Sequence, residues 1–378
     1  MKRIYLDNNA STSLDPRILK ILIKELEEEE GNPSSTHFHG QQCRRKLEKS
    51  RQAVASFFKV KPNEVVFTSG GTEGAALLVQ GIMLQHPFGH AISSGLEHAC
   101  VYQTLKELEK KGAQVTFLSA GLAGAVPPEE VERAIRPETR LITLMAANNE
   151  TGVLTDLEAI AAIAQRHHIP FVVDGVAWLG KEMMKIPTGV SAIFFSGHKI
   201  HAPKGIGFCI CRHDLRLTPL FVGGGQEHNR RAGTENLPGI VALAEAKALL
   251  EQTQQASIFH MRRLREHLEM QLISELPNVI VNGNGPRVSN TSNLAFLGVD
   301  GEALLMNLDM AGISVSHGSA CSSGALEPSR VLLEMGIPLS QARSSIRFSL
   351  SRNTSEVEIS TAVTAIIQIV NRLRKMVP

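Results

Sequence analysis

Residues 192–199, Ala-Ile-Phe-Phe-Ser-Gly-His-Lys, place a lysine directly after a short apolar run. The run has the length and composition of a buried strand, and the Ser-Gly pair that follows is typical of its end. A lysine in such a position can lose its hydration and act as an amine nucleophile, although most lysines are surface residues. Lys199 is therefore a candidate catalytic residue whose surroundings must be tested.

Similar apolar runs lie between residues 64 and 211, and they alternate with amphipathic helical patterns. Predicted strands cover 64–69, 90–93, 114–118, 141–146, 171–173, 192–196 and 207–211, and predicted helices cover 16–30, 72–83, 99–111, 127–136 and 155–168. This alternation is typical of an α/β fold with a parallel or mostly parallel sheet.

The pattern changes after Gly223-Gly224-Gly225. A long helix is predicted over 238–275, and short strands and helices follow it, as in a smaller α+β domain. We therefore expect a large domain over residues 15–255. Residues 1–14 and 256–378 are expected to form a small domain. A chain of 378 residues is long enough for two such units.

Composition excludes several classes of protein. The net charge is only +2, from 39 Lys and Arg against 37 Asp and Glu, which argues against a nucleic-acid surface or a polybasic membrane anchor. Five scattered cysteines do not form a disulfide framework and fit a reducing compartment. The N-terminus lacks the apolar run of a secretory signal, so we expect a cytoplasmic protein.

The turn Ser69-Gly70-Gly71-Thr72-Glu73 joins a predicted strand to a predicted helix. The first N–H groups of a helix and its positive dipole end favour phosphate, and glycine lets the backbone approach a ligand closely. Turns of this kind are common without any ligand, and no Gly-Lys-Ser/Thr follows as in a Walker A motif. The turn indicates phosphate binding only together with other residues.

Asp174 follows the apolar strand 171–173, at the position where open α/β sheets bind ligands. It precedes Lys199 by 25 residues, about one strand–helix–strand unit. In enzymes that use pyridoxal 5'-phosphate (PLP), an acidic residue keeps the pyridine nitrogen protonated and a lysine holds the cofactor as a Schiff base. An isolated Asp would more simply be a cap or turn residue, but the pair predicts a PLP site.

Cys321 lies within Ser316–Gly324, a run of small and polar residues. A structural cysteine normally has apolar neighbours, whereas an accessible thiol is better placed to act as a nucleophile. Arg347 lies in Ser345-Ile346-Arg347-Phe348-Ser349, an alternating strand-like stretch. A single arginine presented in this way suits bidentate carboxylate binding, with a structural ion pair as the alternative.

Together these residues resemble the cysteine desulfurases of the NifS/IscS type, within the class V aminotransferase-like PLP enzymes (fold type I). The resemblance runs nearly from end to end of the chain. Its motifs are Tyr5-Leu6-Asp7-Asn8, Gly31-Asn32-Pro33-Ser34-Ser35, Thr68–Glu73, Glu97-His98, Asn148–Gly152, Ser196–Lys199, Pro203–Gly207, Gly223–Glu227, Arg231–Thr234, Gly318–Cys321 and Ser345–Ser349.

The resemblance implies a role for each residue of the site. Residues expected to bind PLP are Lys199, Gly71, Thr72, His98, Asn149, Asp174, Ser196, His198 and Thr234. His98 would stack on the ring and relay protons, so that the catalytic residues are Lys199, Cys321 and His98. Thr234 would reach the phosphate of a partner subunit, which implies a homodimer.

The resemblance also implies a reaction. Arg347, with Asn149 nearby, would hold the carboxylate of L-cysteine, and Cys321 would attack the substrate sulfur to leave a persulfide and L-alanine. The sulfur would pass to an iron–sulfur scaffold or to another acceptor. No intrinsic metal site is expected, although Cys321 could transiently ligate an iron–sulfur cluster. The alternatives are a selenocysteine lyase or related class V lyase, and a paralogue without activity.

The chain departs from the family at Ala177. Family members usually show Asp-Ala-x-Gln where this sequence has Asp174-Gly175-Val176-Ala177, so the glutamine side chain that would hydrogen-bond the PLP ring oxygen is missing. One such hydrogen bond contributes about 0.5–1.5 kcal/mol. We therefore expect a shifted cofactor absorbance and slower turnover than in relatives that carry the glutamine.

We predict that Ala177→Gln changes both the visible spectrum of the bound cofactor and the rate of alanine formation. The added amide restores a donor to the ring oxygen, which alters the electronic state of the ring. Absorbance and turnover should be recorded on the same preparations. A variant identical to the wild type in both would contradict the expectation that the missing amide changes the cofactor and its turnover.

Overall fold

The computed structural model describes residues 3–28, 30–317 and 327–376. The strands are β1 (Ile4–Tyr5), β2 (Val65–Thr68), β3 (His90–Ser94), β4 (Gln114–Leu118), β5 (Thr139–Met145), β6 (Phe171–Asp174), β7 (Ala192–Ser196), β8 (Gly207–Cys211), β9 (Val279–Val281), β10 (Thr291–Phe296), β11 (Ile313–Ser314) and β12 (Ser345–Ser349). The helices are α1 (Pro16–Glu28), α2 (Phe38–Phe58), α3 (Gly71–Met83), α4 (Ala99–Lys110), α5 (Pro128–Arg133), α6 (Leu157–Arg166), α7 (Leu237–Glu275), α8 (Gly301–Met310), α9 (Arg330–Glu334), α10 (Leu339–Arg343) and α11 (Glu356–Met376).

Seven strands form the main sheet, in the order β2-β8-β7-β6-β5-β3-β4. The five strands from β7 to β4 pair in parallel, while β8 runs antiparallel between β7 and β2. The expected mostly parallel sheet is therefore confirmed. Because parallel strands present their carboxyl ends at one edge, the residues that follow β5, β6 and β7 lie together.

Aromatic packing under the sheet fixes the strand ends that carry the site. The rings of Phe195 and Phe208, on neighbouring strands, stack with centroids 4.9 Å apart, and Phe58 of α2 stacks on Phe195 at 5.1 Å. This cluster also explains Gly175, which follows Asp174. A Cβ at Gly175 would lie 2.3 Å from Cε1 of Phe195, so no larger residue fits there without moving the ring.

The C-terminal part of the chain builds a second core. Strands β12, β10 and β9 form an antiparallel sheet, and α7, α8 and α11 bury apolar side chains against it. The start of the chain joins this core, since β1 pairs in parallel with β11. The division at residue 255 stays a prediction, because α7 runs through it as one continuous helix.

Most predicted elements agree with the structure within two residues. The largest difference among them is α5, which begins and ends inside the predicted helix 127–136. Pro127 and Pro128 set the start of α5. None of the helices described is long and apolar enough to cross a membrane.

Candidate active site

The carboxyl ends of β6 and β7 open onto a cavity of about 260 Å³. Asp174 is the last residue of β6, and Lys199 closes the short turn that follows β7. The residues that line the cavity are Asn8, Asn9, Ala10, Gly71, Thr72, His98, Cys100, Met145, Ala147, Asn149, Asp174, Val176, Ala177, Lys181, Ser196, His198, Lys199 and Arg347.

The structure brings nine of the predicted site residues to this one cavity. They are Gly71, Thr72, His98, Asn149, Asp174, Ser196, His198, Lys199 and Arg347. Thr234 lies elsewhere, in an open depression shared with Phe221 and Arg231. Cys321 falls outside the described residues. The individual roles expected from the sequence stay predictions.

One end of the cavity suits a phosphate group. Gly70 precedes α3, and no described side chain caps the helix, so its first N–H groups remain available to an anion. A Cβ at Gly71 would lie 3.0 Å from Cγ2 of Val176. A side chain at this position would therefore narrow this end of the cavity. Burial lowers the pKa of neighbouring His198 to about 4, and Lys199 adds to the effect, so this imidazole is neutral at pH 7.

Asp174 is a buried carboxylate near the half-buried amine of Lys199. Burial raises its pKa to about 6, while the N–H of Val176, 2.8 Å from Oδ1, and the charge of Lys199 oppose this rise. Such a carboxylate is stabilised by a cationic partner. A protonated pyridine nitrogen is a partner of that kind.

The Lys199 amine is held by the N-terminal segment of the chain. Nζ donates hydrogen bonds to the carbonyl oxygens of Asn9 and Ala10, the latter at 2.9 Å. Because carbonyls carry no charge, they position the amine without forming an ion pair that would have to be broken. Sequence reasoning had not placed Asn9 and Ala10 in the site, since only their neighbours Asp7 and Asn8 belong to a recognised motif.

Arg347 lies on β12 and is 2% exposed. Its Nη2 is 2.7 Å from Oδ1 of Asp7, and its Nη1 donates to the carbonyl of Asn149 at 3.2 Å. Its Nε has no hydrogen-bond partner among the described residues. A guanidinium with an unused buried donor beside a cavity can bind a small carboxylate.

His98 caps the N-terminus of α4 and interacts with Cys100, which lies in the first turn of the helix. The Cys100 N–H lies 3.2 Å from Nδ1 of His98, and the Cys100 Sγ lies 3.0 Å from the same nitrogen. Burial, together with the nearby cations Lys199, Arg330 and Arg347, lowers the pKa of His98 to about 4. His98 is therefore neutral at pH 7.

Lys181 is a second cavity lysine that sequence reasoning missed. Its Nζ donates to the main-chain carbonyl of Lys199 at 3.2 Å. Burial lowers its pKa to about 8, and Arg352 and Lys199 act in the same direction. No pattern in the sequence distinguishes Lys181 from a surface lysine, because its burial depends on contacts with residues distant in sequence, such as the carbonyl of Lys199.

The residues of this cavity fit PLP. A phosphate end, a buried carboxylate and a positioned amine lie in one enclosure, and the spare guanidinium donor suits the carboxylate of an amino acid substrate. This is the donor set that a phosphorylated pyridine aldehyde requires.

Comparisons with known proteins agree with this geometry. Residues 4–361 match the family described as aminotransferase class-V. Cysteine desulfurase 2 of Trichormus variabilis is 43% identical over 381 residues, which cover 100% of this chain and 96% of that protein. Cysteine desulfurase IscS of Dictyoglomus turgidum is 36% identical and covers 100% of this chain and 97% of its own length.

Solved structures show the same fold. A NifS-like protein superposes with a TM-score of 0.91 at 32% identity, covering 98% of this chain and 100% of its own. A structure described as SspA in complex with cysteine has a TM-score of 0.81 at 30% identity, covering 93% of this chain and 100% of its own.

The chain belongs to the aminotransferase class-V family, whose known members use PLP. Within that family it belongs with the cysteine desulfurases, to which full-length relatives at 36–43% identity are assigned. The resemblance and the fold class expected from the sequence are both confirmed.

We predict that Asp174→Asn stabilises the cofactor-free protein at pH 8 by up to about 3 kcal/mol and has little effect near pH 4. The pKa of Asp174 is raised from 3.8 to about 6 on folding, so its favourable contribution is complete below pH 3.8 and is lost as the pH rises through 6. Urea unfolding of both proteins at several pH values measures the difference.

Asp214→Asn is the matched control, since it removes an exposed carboxylate. It should leave unfolding nearly unchanged at both pH values. Equal stability of Asp174→Asn and the wild type at pH 8 would contradict the prediction.

Proposed function

We propose that this chain is a PLP-dependent cysteine desulfurase that converts L-cysteine to L-alanine and leaves the sulfur as a persulfide on Cys321. The observation that carries the proposal is the single cavity where Lys199, Asp174, His98 and Arg347 meet. PLP, when bound, supplies an electron sink for the bonds broken in the substrate.

Three groups of residues would hold the cofactor. The N–H groups at the start of α3, with Thr72, Ser196 and His198, would bind its phosphate. Asp174 would pair with the ring nitrogen, and Lys199 would bind the aldehyde carbon through Nζ. His98 would lie against the ring, with Asn149 near the ring hydroxyl.

Arg347 would orient the substrate. Its Asp7 and Asn149 contacts fix the guanidinium plane, and the unused Nε, with the second hydrogens of Nη1 and Nη2, can donate to the α-carboxylate of cysteine. Such anchoring sets which bond of the substrate faces Lys199 and His98.

Lys199 and His98 would move protons. Nζ of Lys199, when it is not bound to the cofactor, could accept a proton from the substrate and return it to another substrate atom. His98 is neutral at pH 7 and would exchange a proton with a group in the cavity.

The segment that contains Cys321 is attached beside the cavity at both of its ends. On one side, the backbones of Ser316 and Arg347 exchange two hydrogen bonds, at 3.2 and 2.7 Å. Cys321 is five residues further along the chain, a contour length of at most about 18 Å. This attachment supports the proposal that the Cys321 thiol accepts the substrate sulfur.

On the other side, Ser329 donates a hydrogen bond to Glu150, and Arg330 donates to the carbonyl of Glu97 at 2.6 Å. Glu97 and Glu150 directly neighbour His98 and Asn149 in sequence. The segment is thus tied to the elements that carry two cavity residues.

The proposal extends to partners. Thr234 lies in an open depression outside the cavity that Lys199 lines. This position fits a contact between Thr234 and the phosphate site of a second copy of the chain in a homodimer. The sulfur acceptor is proposed to be an iron–sulfur scaffold protein or another thiol acceptor, and the expected location is the cytoplasm.

We predict that Cys321→Ser abolishes the transfer of cysteine sulfur to a thiol acceptor and lowers alanine formation to background. The serine hydroxyl cannot form a persulfide, so the sulfur has no acceptor in the site. Alanine and sulfide should be measured with L-cysteine and dithiothreitol. Cys211→Ala, which removes a buried thiol far from the cavity, should keep both activities. Undiminished alanine formation in Cys321→Ser would instead favour a class V lyase.

We predict that the purified protein has an absorbance band at about 400 nm and that Lys199→Ala loses this band. Nζ of Lys199 is the amine that binds the cofactor, so its removal leaves only non-covalent contacts. Lys181→Met is the matched control, because it removes the second cavity lysine and should keep the band. A spectrum unchanged in Lys199→Ala, or lost equally in both variants, would contradict the assignment.

A further inference from the structure

His98 and Cys100 form a contact that the proposed reaction does not use. Both side chains line the cavity, and both Sγ and the N–H of Cys100 approach the same ring nitrogen, Nδ1 of His98. The two contacts are 3.0 and 3.2 Å long. The first turn of α4 therefore contacts one edge of the His98 imidazole.

The chemistry of the donors fixes the direction of these hydrogen bonds. A backbone N–H can only donate, so Nδ1 of His98 must accept and carries no hydrogen in the neutral ring. With Nδ1 as the acceptor, Sγ of Cys100 must donate its S–H. The single ring hydrogen then lies on Nε2, which makes no hydrogen bond to any described residue.

The opposite arrangement is a Cys100 thiolate beside a His98 imidazolium. Burial raises the pKa of the Cys100 thiol and nearby carboxylates raise it further, although the backbone N–H groups of Val101 and Cys100 oppose this rise. Burial and nearby cations together lower the pKa of His98 to about 4. The charged groups that act on the pair are Asp174, Glu97, Lys199, Arg330 and Arg347. The net effect favours the neutral pair.

We propose that Cys100 is a positioning residue for His98, whose thiol and amide hold Nδ1 as an acceptor and leave the ring hydrogen on Nε2. The inference rests on the proposed function in one respect, namely that His98 exchanges protons in the cavity. Its consequence is that the resting His98 offers a hydrogen-bond donor, Nε2–H, to the cofactor or substrate.

The pair also sets how readily His98 takes up a second proton. A proton arriving at Nδ1 must displace both the S–H and the N–H donor, so the imidazolium form is disfavoured. Cys100 itself stays a neutral thiol, and it is a poor nucleophile because the thiolate is the reactive species. It therefore does not compete with Cys321 for sulfur.

The tautomer of His98 is measured by nuclear magnetic resonance on protein labelled with ¹⁵N-histidine, with His98→Gln identifying the signal. We expect Nδ1 without a hydrogen and Nε2 with one, in the cofactor-free protein and in the holoenzyme. A hydrogen on Nδ1 would overturn the proposal. The cofactor-free measurement needs no enzymatic activity, so it can fail or succeed independently of the desulfurase assignment.

Two substitutions separate the hydrogen bond from packing. Cys100→Ser keeps a donor to Nδ1, whereas Cys100→Val has a similar size and none. In Cys100→Val the protonation midpoint of His98 should rise by about half to one pH unit, while Cys100→Ser should stay at the wild-type value or below it. Equal midpoints in Cys100→Val and the wild type would contradict a positioning role.

The same variants have a kinetic signature. The holoenzyme is assayed by measuring kcat/KM for L-cysteine as a function of pH. The midpoint of its acidic limb should shift to higher pH in Cys100→Val but not in Cys100→Ser. Mass spectrometry after one turnover should find sulfur on Cys321 and none on Cys100. A persulfide on Cys100 would show that this thiol is an acceptor and would overturn the proposal.

Discussion

The site depends on the parallel pairing of β6 with β7, which places Asp174 and the turn to Lys199 at one edge of the sheet. A carboxylate buried this deeply costs free energy unless a cation lies nearby. Lys199 supplies part of that compensation, and a bound pyridinium would supply more. The stacked rings of Phe195 and Phe208 lie beneath the strands and keep this edge fixed. The Phe195 ring also leaves room only for glycine after Asp174.

The cavity is closed by parts of the chain that are far apart in sequence. The N-terminal residues Asn9 and Ala10 hold the Lys199 amine, and Asp7 holds Arg347 of the second sheet. The same short segment thus contacts both the group expected to bind the cofactor and the group expected to bind the substrate. Their separation is set by one stretch of backbone, which gives it the precision that substrate orientation requires.

Much of this could be predicted from local sequence. Strands β4, β7 and β8 begin and end where apolar runs meet glycine or polar residues, because burial and turn formation are decided locally. Each of the nine predicted residues found in the cavity follows a strand, begins a helix or belongs to a recognised motif. Lys181 carries no such signal, since a buried lysine and a surface lysine look alike in sequence.

The sequence by itself determined the α/β class, the family and which lysine and carboxylate are proposed to bind the cofactor, because strand periodicity and motif chemistry are local properties. Only the tertiary structure decided how these residues act on one another. The burial that raises the pKa of Asp174, the carbonyls that hold Lys199 and the contact between Cys100 and His98 all arise from folding. Each depends on distance and desolvation, which exist only once the chain is packed.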